Sequence, residues 1–213
     1  FSIREFNMYK CQKCTLIFVS PRSNASEIYN KDYFSGAVHG FGFVNYEEDK
    51  SAAAGYLKMY LKWLSAFGFT KGPSLLDVGA ANGFFVNLAE QRGFESAGIE
   101  LSHDAVIWAK KLGRNVSQAD AMDIAPNEKF DVITVLDVLE HINQPHEFIS
   151  KIKNNLNPGG VVLINVPNAG SLFAKFCGKS WHSYVPPEHL FYFNKKALST
   201  ILALNGFEII KAK

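Results

Sequence analysis

Apolar and polar positions alternate along this chain with two different periods. From about Ser51, the residues Leu57, Tyr60, Leu61, Leu64 and Phe67 recur on one helical stripe, ended by Gly68 and the Gly72-Pro73 pair. A short apolar run bounded by glycine, Ser74–Val78, predicts a buried strand, and Asn82–Gln91 places Phe84, Phe85, Leu88 and Ala89 at helical spacing. Ser96–Glu100 predicts a second strand. Ser102 is placed to cap a helix running to Leu112, with Lys110 and Lys111 in its last turn and Gly113 beyond it. Asn115–Gln118 and the β-branched Phe130–Leu136 predict further strands. Pro145–Leu156 reads as a helix with Phe148, Ile149, Ile152 and Leu156 inward. Asn157-Pro158-Gly159-Gly160 then breaks it before a fifth strand, Val161–Val166. Asn194 is expected to cap a helix to Leu204, and Gly206–Lys211 to form a last strand. Strands separated by ten-residue helices mean βαβ units and a parallel sheet.

The flanks read differently. Residues 1–30 carry Cys11-Gln12-Lys13-Cys14 and the polar stretch Ser20-Pro21-Arg22-Ser23-Asn24, the composition of a small appendage. Residues 33–47 combine aromatics with glycine, including Phe41, Phe43 and Tyr46, which suits a lid or the anchoring of the first helix in the core. The expected organisation is an appendage and lid over 1–47 and a ligand-binding α/β domain over 48–213.

Composition narrows the classes. With 213 residues, 47% of them hydrophobic, the chain is not disordered, and 16 Gly and 8 Pro exclude collagen-like or low-complexity types. The 22 Lys+Arg against 20 Asp+Glu leave a charge of +2, which argues against a dedicated polyanion binder. No apolar run approaches the ~18 residues of a membrane span. Three cysteines make no disulfide framework and point to a reducing cytoplasm. The chain starts at Phe1 without an initiator Met or a signal pattern, so it is expected to be a piece of a longer protein.

The chemistry concentrates at the strand ends. In Leu75-Leu76-Asp77-Val78-Gly79-Ala80-Ala81-Asn82-Gly83-Phe84, a buried strand enters a small-residue turn that opens a helix, where doubly wound sheets bind ligands. Gly79 permits the tight turn, and Gly83 is expected to let helix-start amides approach a ligand. The dinucleotide fingerprint fits badly, because its second and third glycines fall on Ala81 and Phe84. The turn resembles instead the D-x-G-x-G-x-G motif of class I S-adenosylmethionine (SAM) methyltransferases, through Asp77, Gly79 and Gly83, with Ala81 at the middle glycine. The alternative is a plain tight turn between strand and helix.

Glu100 ends the second strand, where an acidic side chain can accept both ribose hydroxyls of a nucleoside, in NAD and SAM sites alike; the alternative is a solvated carboxylate. The resemblance implies that Asp120 binds the adenine amino group, with Asp123 a close competitor. Phe130–Ile142 is similar to the family's fourth-strand motif with its Glu140-His141-Ile142 ending, and Leu156-Asn157-Pro158-Gly159-Gly160 to its L-x-P-G-G turn. The resemblance thus implies a doubly wound, mostly parallel Rossmann-like sheet with helices on both faces and an N-terminal helical or irregular lid. It implies SAM as cofactor, S-adenosylhomocysteine as product, and cofactor contacts from Asp77, Gly79, Ala80, Ala81, Asn82, Gly83, Glu100, Leu101, Asp120, Ala121, Leu136 and Asp137.

A methyl donor that carries its own electrophile asks the protein mainly for alignment and exclusion of water, plus a base for a hydroxyl acceptor. His141 is one candidate base, or else a helix-start histidine satisfying a backbone carbonyl. His189 is the second. It lies in Trp181–Phe193, an aromatic segment stiffened by Pro186-Pro187 that resembles the P-x-H-L-x-x-F segment of a small-molecule subgroup; its alternative is a core hydrogen bonder. Cys11 and Cys14 have zinc-knuckle spacing and resemble the second half of an N-terminal ribbon, whose first knuckle would lie upstream of Phe1; tetrahedral zinc needs four ligands, so in the chain as it stands no metal is expected. The expected acceptor is a small or carrier-linked molecule, reacting at a hydroxyl oxygen. Nucleic acid is disfavoured, since Leu136-Asp137-Val138-Leu139 stands where an Asn/Asp-Pro-Pro-aromatic motif would. The competing readings are a nicotinamide-dependent oxidoreductase and a non-catalytic SAM-binding domain. The family's seventh strand is missing before Lys213, a further reason to expect a trimmed chain.

Overall fold

The computed structural model describes residues 2–3, 5–20 and 46–213, with backbone only for 46–53. Its contacts divide the chain into two units. One comprises Tyr29–Leu136 and Asn154–Leu163, the other Phe1–Ile28, Asp137–Lys153 and Ile164–Lys213.

The first unit holds helix α1 (Tyr46–Ala66), strands β4 (Ser74–Val78), β5 (Glu95–Glu100), β6 (Val116–Gln118) and β7 (Phe130–Leu136), and helices α2 (Phe84–Glu90) and α3 (His103–Lys111). Strand β8 (Leu156–Asn165) completes a sheet of order β6-β5-β4-β7-β8. The pairs β4–β5, β4–β7 and β5–β6 are parallel, with Leu76 opposite both Ala97 and Ile133. Because β4 runs on to β5 on one side and is flanked by β7 on the other, its carboxyl end is the switch point where such sheets open a crevice. The predicted stripe of α1 buries Leu57, Leu61 and Leu64 with Leu75, Phe85, Leu88 and Val132. Phe67 does not join them. It lies past the helix end and is 43% exposed. A second core collects Ala80, Val86, Val106, Ala109 and Val116, and Ser102 caps α3 by accepting the Ala105 amide.

The expected helix Pro145–Leu156 is shorter, ending as α4 at Asn154, and β8 begins at Leu156 instead of Val161. Asn155 is the cause. Buried, it donates Nδ2 to the carbonyls of Ala125 and Glu128 at 2.7 Å each and accepts the Phe130 amide, so the chain is committed to the sheet there. The Asn157-Pro158-Gly159-Gly160 stretch lies within the strand: Asn157 donates to Asp131, and a Cβ at Gly160 would meet the Asp131 carbonyl at 3.0 Å. Hydrogen bonds from Asn157 and Ser74 hold the Asp131 carboxyl below its usual range.

In the second unit, β1 (Ser2–Ile3), β2 (Phe6–Lys10), β3 (Ile17–Ser20) and β9 (Phe191–Tyr192) form an antiparallel sheet in that order. The segment 1–30, read from composition as an appendage, thus contributes β3, which pairs with β9 in the aromatic segment more than 170 positions further along the chain. Ile3, Met8 and Val19 pack with Ala174, Trp181 and Tyr192. The short helix α5 (Leu172–Cys177) and α6 (Lys195–Leu204) complete the elements, α6 being capped as expected by Asn194. Gly206–Lys211 is no strand. Ile209 and Ile210 are exposed, and among the described residues nothing pairs with them. Phe41 and Phe43 lie outside the described residues. No described helix is long and apolar enough to cross a membrane.

Leu61 is fully buried, so Leu61→Ala should cost about 2–5 kcal/mol of unfolding free energy. Phe67→Ala should change stability by less than about 1 kcal/mol, both read from urea denaturation curves.

Candidate active site

The site begins at the end of β4. Asp77, 4% exposed, accepts a 2.6 Å hydrogen bond from Thr134 of β7, which ties the two strands together through a buried carboxylate. Beyond Val78 the chain turns sharply. The amides of Gly79 and Ala80 both donate to the Ile99 carbonyl, at 2.9 and 3.0 Å. Gly79, Ala81 and Gly83 have φ of 72°, 47° and 72°. A left-handed Ala81 is uncommon for a residue with a Cβ, and its position is held by the 2.8 Å bond from its amide to Glu100 Oε2. The other oxygen, Oε1, accepts the Ser102 amide at 2.8 Å. Burial pushes the Glu100 carboxyl up, and the amides of Ser102 and Ala81 pull it back.

The surrounding contacts explain the small residues. A Cβ at Gly83 would meet Val116 Cγ2 at 2.8 Å and Arg114 Cβ at 3.0 Å, so this glycine serves the close approach of the start of β6 as well as a positive φ. Arg114 donates to the Asn82 carbonyl at 3.0 Å and stands over the Phe84 ring at 5.6 Å. Asn82 is buried and caps locally, its Oδ1 accepting the Phe84 amide. Gly98, not singled out from the sequence, is needed as much: a Cβ there would lie 2.5 Å from Ala80 Cβ and 3.0 Å from Val86. The available signal was a glycine inside a strand, which marks close backbone approach.

The Ala119 amide donates to the Glu100 carbonyl, which joins the next segment to β5. Asp120 caps the 3₁₀ turn Ala121–Asp123, its Oδ1 accepting the Met122 amide at 2.7 Å, while its competitor Asp123 is exposed. Leu101 is half-buried and its carbonyl accepts from Gln118. Leu136 ends β7. Of the sequence-derived cofactor residues, those from Asp77 to Leu136 thus fall in one unit, with Glu100 hydrogen-bonded to the turn.

Asp137, His141 and His189 fall in the other unit. Asp137 has φ 57°, and its Oδ1 accepts from Asn165 at 2.6 Å. Three residues on, Glu140 is 1% exposed and neither carboxylate oxygen has a hydrogen-bond partner among the described residues. Burial first, then the negative charges of Asp137 and Glu188, raise its carboxyl well above the usual range. His141 sets Nδ1 2.9 Å from the Glu188 carbonyl and Nε2 4.0 Å from Glu140 Oε1. His189 sets Nδ1 2.8 Å from the Ser183 carbonyl, and the two rings meet edge to face at 4.8 Å. Burial lowers His141 to about 4, against the carbonyls of Glu188 and Asp137. Burial and the neighbouring His141 lower His189 to about 3. Both imidazoles are therefore neutral near pH 7. The sequence brought out both histidines but passed over Glu140 as a chemical group.

At the tip of the β2–β3 hairpin, the backbone amides of Cys14 and Lys13 hold the Cys11 thiol below its usual value. Cys11, Cys14 and Cys177 are free thiols.

A family model described as a methyltransferase domain matches residues 50–212. The chain belongs to the methyltransferase domain family. Over 116 residues it is 29% identical to a ubiquinone biosynthesis O-methyltransferase of Paraburkholderia phytofirmans, covering 51% of this chain and 50% of that protein. The chain thus spans about half the length of the curated relatives it matches. The methyltransferase domain also superposes on solved structures. A magnesium protoporphyrin IX methyltransferase from Synechocystis, with bound S-adenosylhomocysteine, gives a TM-score of 0.69 at 18% identity over 88% of this chain and 91% of that one. A SAM-dependent methyltransferase from Archaeoglobus fulgidus gives 0.59 at 23% identity over 71% and 69%. These likenesses show the fold, a parallel α/β sheet of the Rossmann-like kind.

Crowding at Gly98 makes a sharp test of this methyltransferase turn. Gly98→Ala should cost about 1–3 kcal/mol by overpacking. Gly55→Ala, in α1 with nothing within 4 Å of its Cβ, should stabilise by about 0.5–1 kcal/mol. Paired thermal and urea melts of the two variants check both signs.

Proposed function

We propose that the chain binds S-adenosylmethionine at the carboxyl ends of β4 and β5 and moves its methyl group to a small or carrier-linked acceptor at oxygen. The observation that carries this reading is the Glu100 carboxylate. Each oxygen accepts one amide at 2.8 Å and keeps a second acceptor direction, which suits two vicinal ribose hydroxyls. A buried carboxylate aligned in this way discriminates a nucleoside ribose from a ligand without such a diol. Asp120, half-buried at the end of β6, is assigned to the adenine edge, and the turn from Gly79 to Gly83 to the remainder of the cofactor. Asp77, Ala80, Asn82, Leu101, Ala121, Leu136 and Asp137 complete the proposed contacts.

When bound, the cofactor supplies a methyl group on a sulfonium sulfur, so the electrophile comes ready-made. What the chain adds is position and a proton acceptor. A hydroxyl acceptor gains from losing its proton as the new bond forms. His141 and His189, both neutral near pH 7, are the residues assigned to that end of the reaction. The curated relatives named as O-methyltransferases favour oxygen as the acceptor atom.

Isothermal titration and thermal shift with SAM, S-adenosylhomocysteine and NADH test the reading. SAM and S-adenosylhomocysteine should bind and stabilise, NADH should not. Glu100→Gln removes the charge that strengthens the hydroxyl bonds, a loss of about 1.5–3 kcal/mol, or roughly 10- to 150-fold in Kd. Unchanged SAM affinity in that variant, or stabilisation by NADH alone, would overturn the proposal.

A further inference from the structure

We propose that Glu140, His141 and His189 form a binding site for one divalent transition-metal ion, zinc first among them. The three side chains come from two separated segments, the 3₁₀ turn Leu139–His141 and the stretch before β9, yet one ligand atom from each lies within 4.8 Å of the others. Two imidazoles and a carboxylate are a donor set that zinc takes in sites with an open fourth position. Such a mixed nitrogen and oxygen set does not suit magnesium or calcium, which prefer oxygen alone.

Three further observations support the site. Glu140 is 1% exposed, and neither of its oxygens has a hydrogen-bond partner among the described residues. A buried carboxyl in that state costs free energy in either protonation form, and a cation resolves both the charge and the missing bonds. The charges acting on Glu140 are those of Asp137 and Glu188, both negative, so the local potential favours a cation. Finally, the Nδ1 atoms of His189 and His141 stand 2.8 and 2.9 Å from main-chain carbonyls. An imidazole that donates its other N–H to a carbonyl is oriented as metal-ligating histidines usually are.

The dimensions are compatible with closure on an ion. Zinc bonds of ~2.1 Å in tetrahedral coordination set ligand atoms roughly 3.4 Å apart, so the widest pair must close by about 1.4 Å. Rotation about the side-chain bonds of Glu140 and the two histidines supplies that distance. With an ion bound, the two imidazoles serve as ligands and no longer as proton acceptors; the open coordination position would accept an oxygen ligand and make its proton easier to lose. This site does not rest on the reading of Glu100, and its test needs neither SAM nor turnover.

The test is metal binding by the full chain, without an affinity tag, after treatment with a chelator. Equilibrium dialysis against Zn2+ or Co2+, with elemental analysis, should give one tightly held ion per chain. Cobalt should show visible ligand-field absorption without thiolate charge transfer. Glu140→Gln and His189→Gln should each weaken binding by at least 10- to 100-fold and abolish the rise in melting temperature that zinc gives the unaltered chain. The double variant Cys11→Ser, Cys14→Ser should retain the ion, and millimolar Mg2+ should not displace it. Should Glu140→Gln fail to fold, His189→Gln alone decides. Stoichiometry near zero, retention in His189→Gln, loss in the cysteine variant, or displacement by Mg2+ would each overturn the proposal.

Discussion

The Glu100 carboxylate, shared between the amides of Ala81 and Ser102 at 2.8 Å each, is the constraint on which the rest of the cofactor-side geometry depends. It joins the end of β5 to the turn after β4 and also to the start of α3. An anion at 8% exposure is unfavourable unless hydrogen-bonded, and the two amides meet that requirement while fixing the chain around it. The left-handed Ala81 and the crowded Gly98 and Gly83 are consequences of bringing this much backbone to one point. Strain of this kind persists only where surrounding contacts over-determine it. Here the Ile99 carbonyl, bound by both Gly79 and Ala80 amides, and the Asp77–Thr134 bond supply those contacts.

The other unit solves a different problem with different means. Its polar centre is buried without matching charge, and its histidines are held by main-chain carbonyls. Its hydrophobic support comes from Trp181, Tyr184 and Tyr192, whose rings meet at 4.8 and 5.1 Å, with Met8 and Val19 beneath them. Aromatic pairs in edge-to-face contact hold a defined geometry in a segment that has little regular secondary structure. The peptide between Pro186 and Pro187 in that segment is cis.

The sequence exposed the parallel sheet well because local signals and long-range pairing agree there. Ser74–Val78 and Phe130–Leu136 are strands with the boundaries their apolar runs imply, and Ser102 and Asn194 cap as their positions suggest. The misses have one cause. Residues 6–20 hold two short apolar runs, read from composition only as part of an appendage, and the sheet they form gains its fourth strand from a distant partner, β9. Gly206–Lys211 looks like a strand but joins neither of the two described sheets. Asn155 was opaque because its two carbonyl partners are set by loop geometry rather than by any periodicity. At the candidate site, motif spacing found the residues of the turn and both histidines. It could not find Glu140's isolation, which depends on packing around it and not on any neighbour in sequence.

The pairing of β3 with β9 also has a meaning in time. The Asn194 side chain bonds Thr15, a residue 179 positions earlier, and the strands beside them pair across a similar separation. During synthesis from the N-terminus, the β2–β3 hairpin therefore emerges long before its partner exists, with an open strand edge and the apolar side chains of Met8 and Val19 uncovered. Long-range antiparallel closure is slow, and unpaired edges are where nascent chains associate wrongly. The hairpin and β9 must both have been made before the histidine segment acquires its supporting sheet.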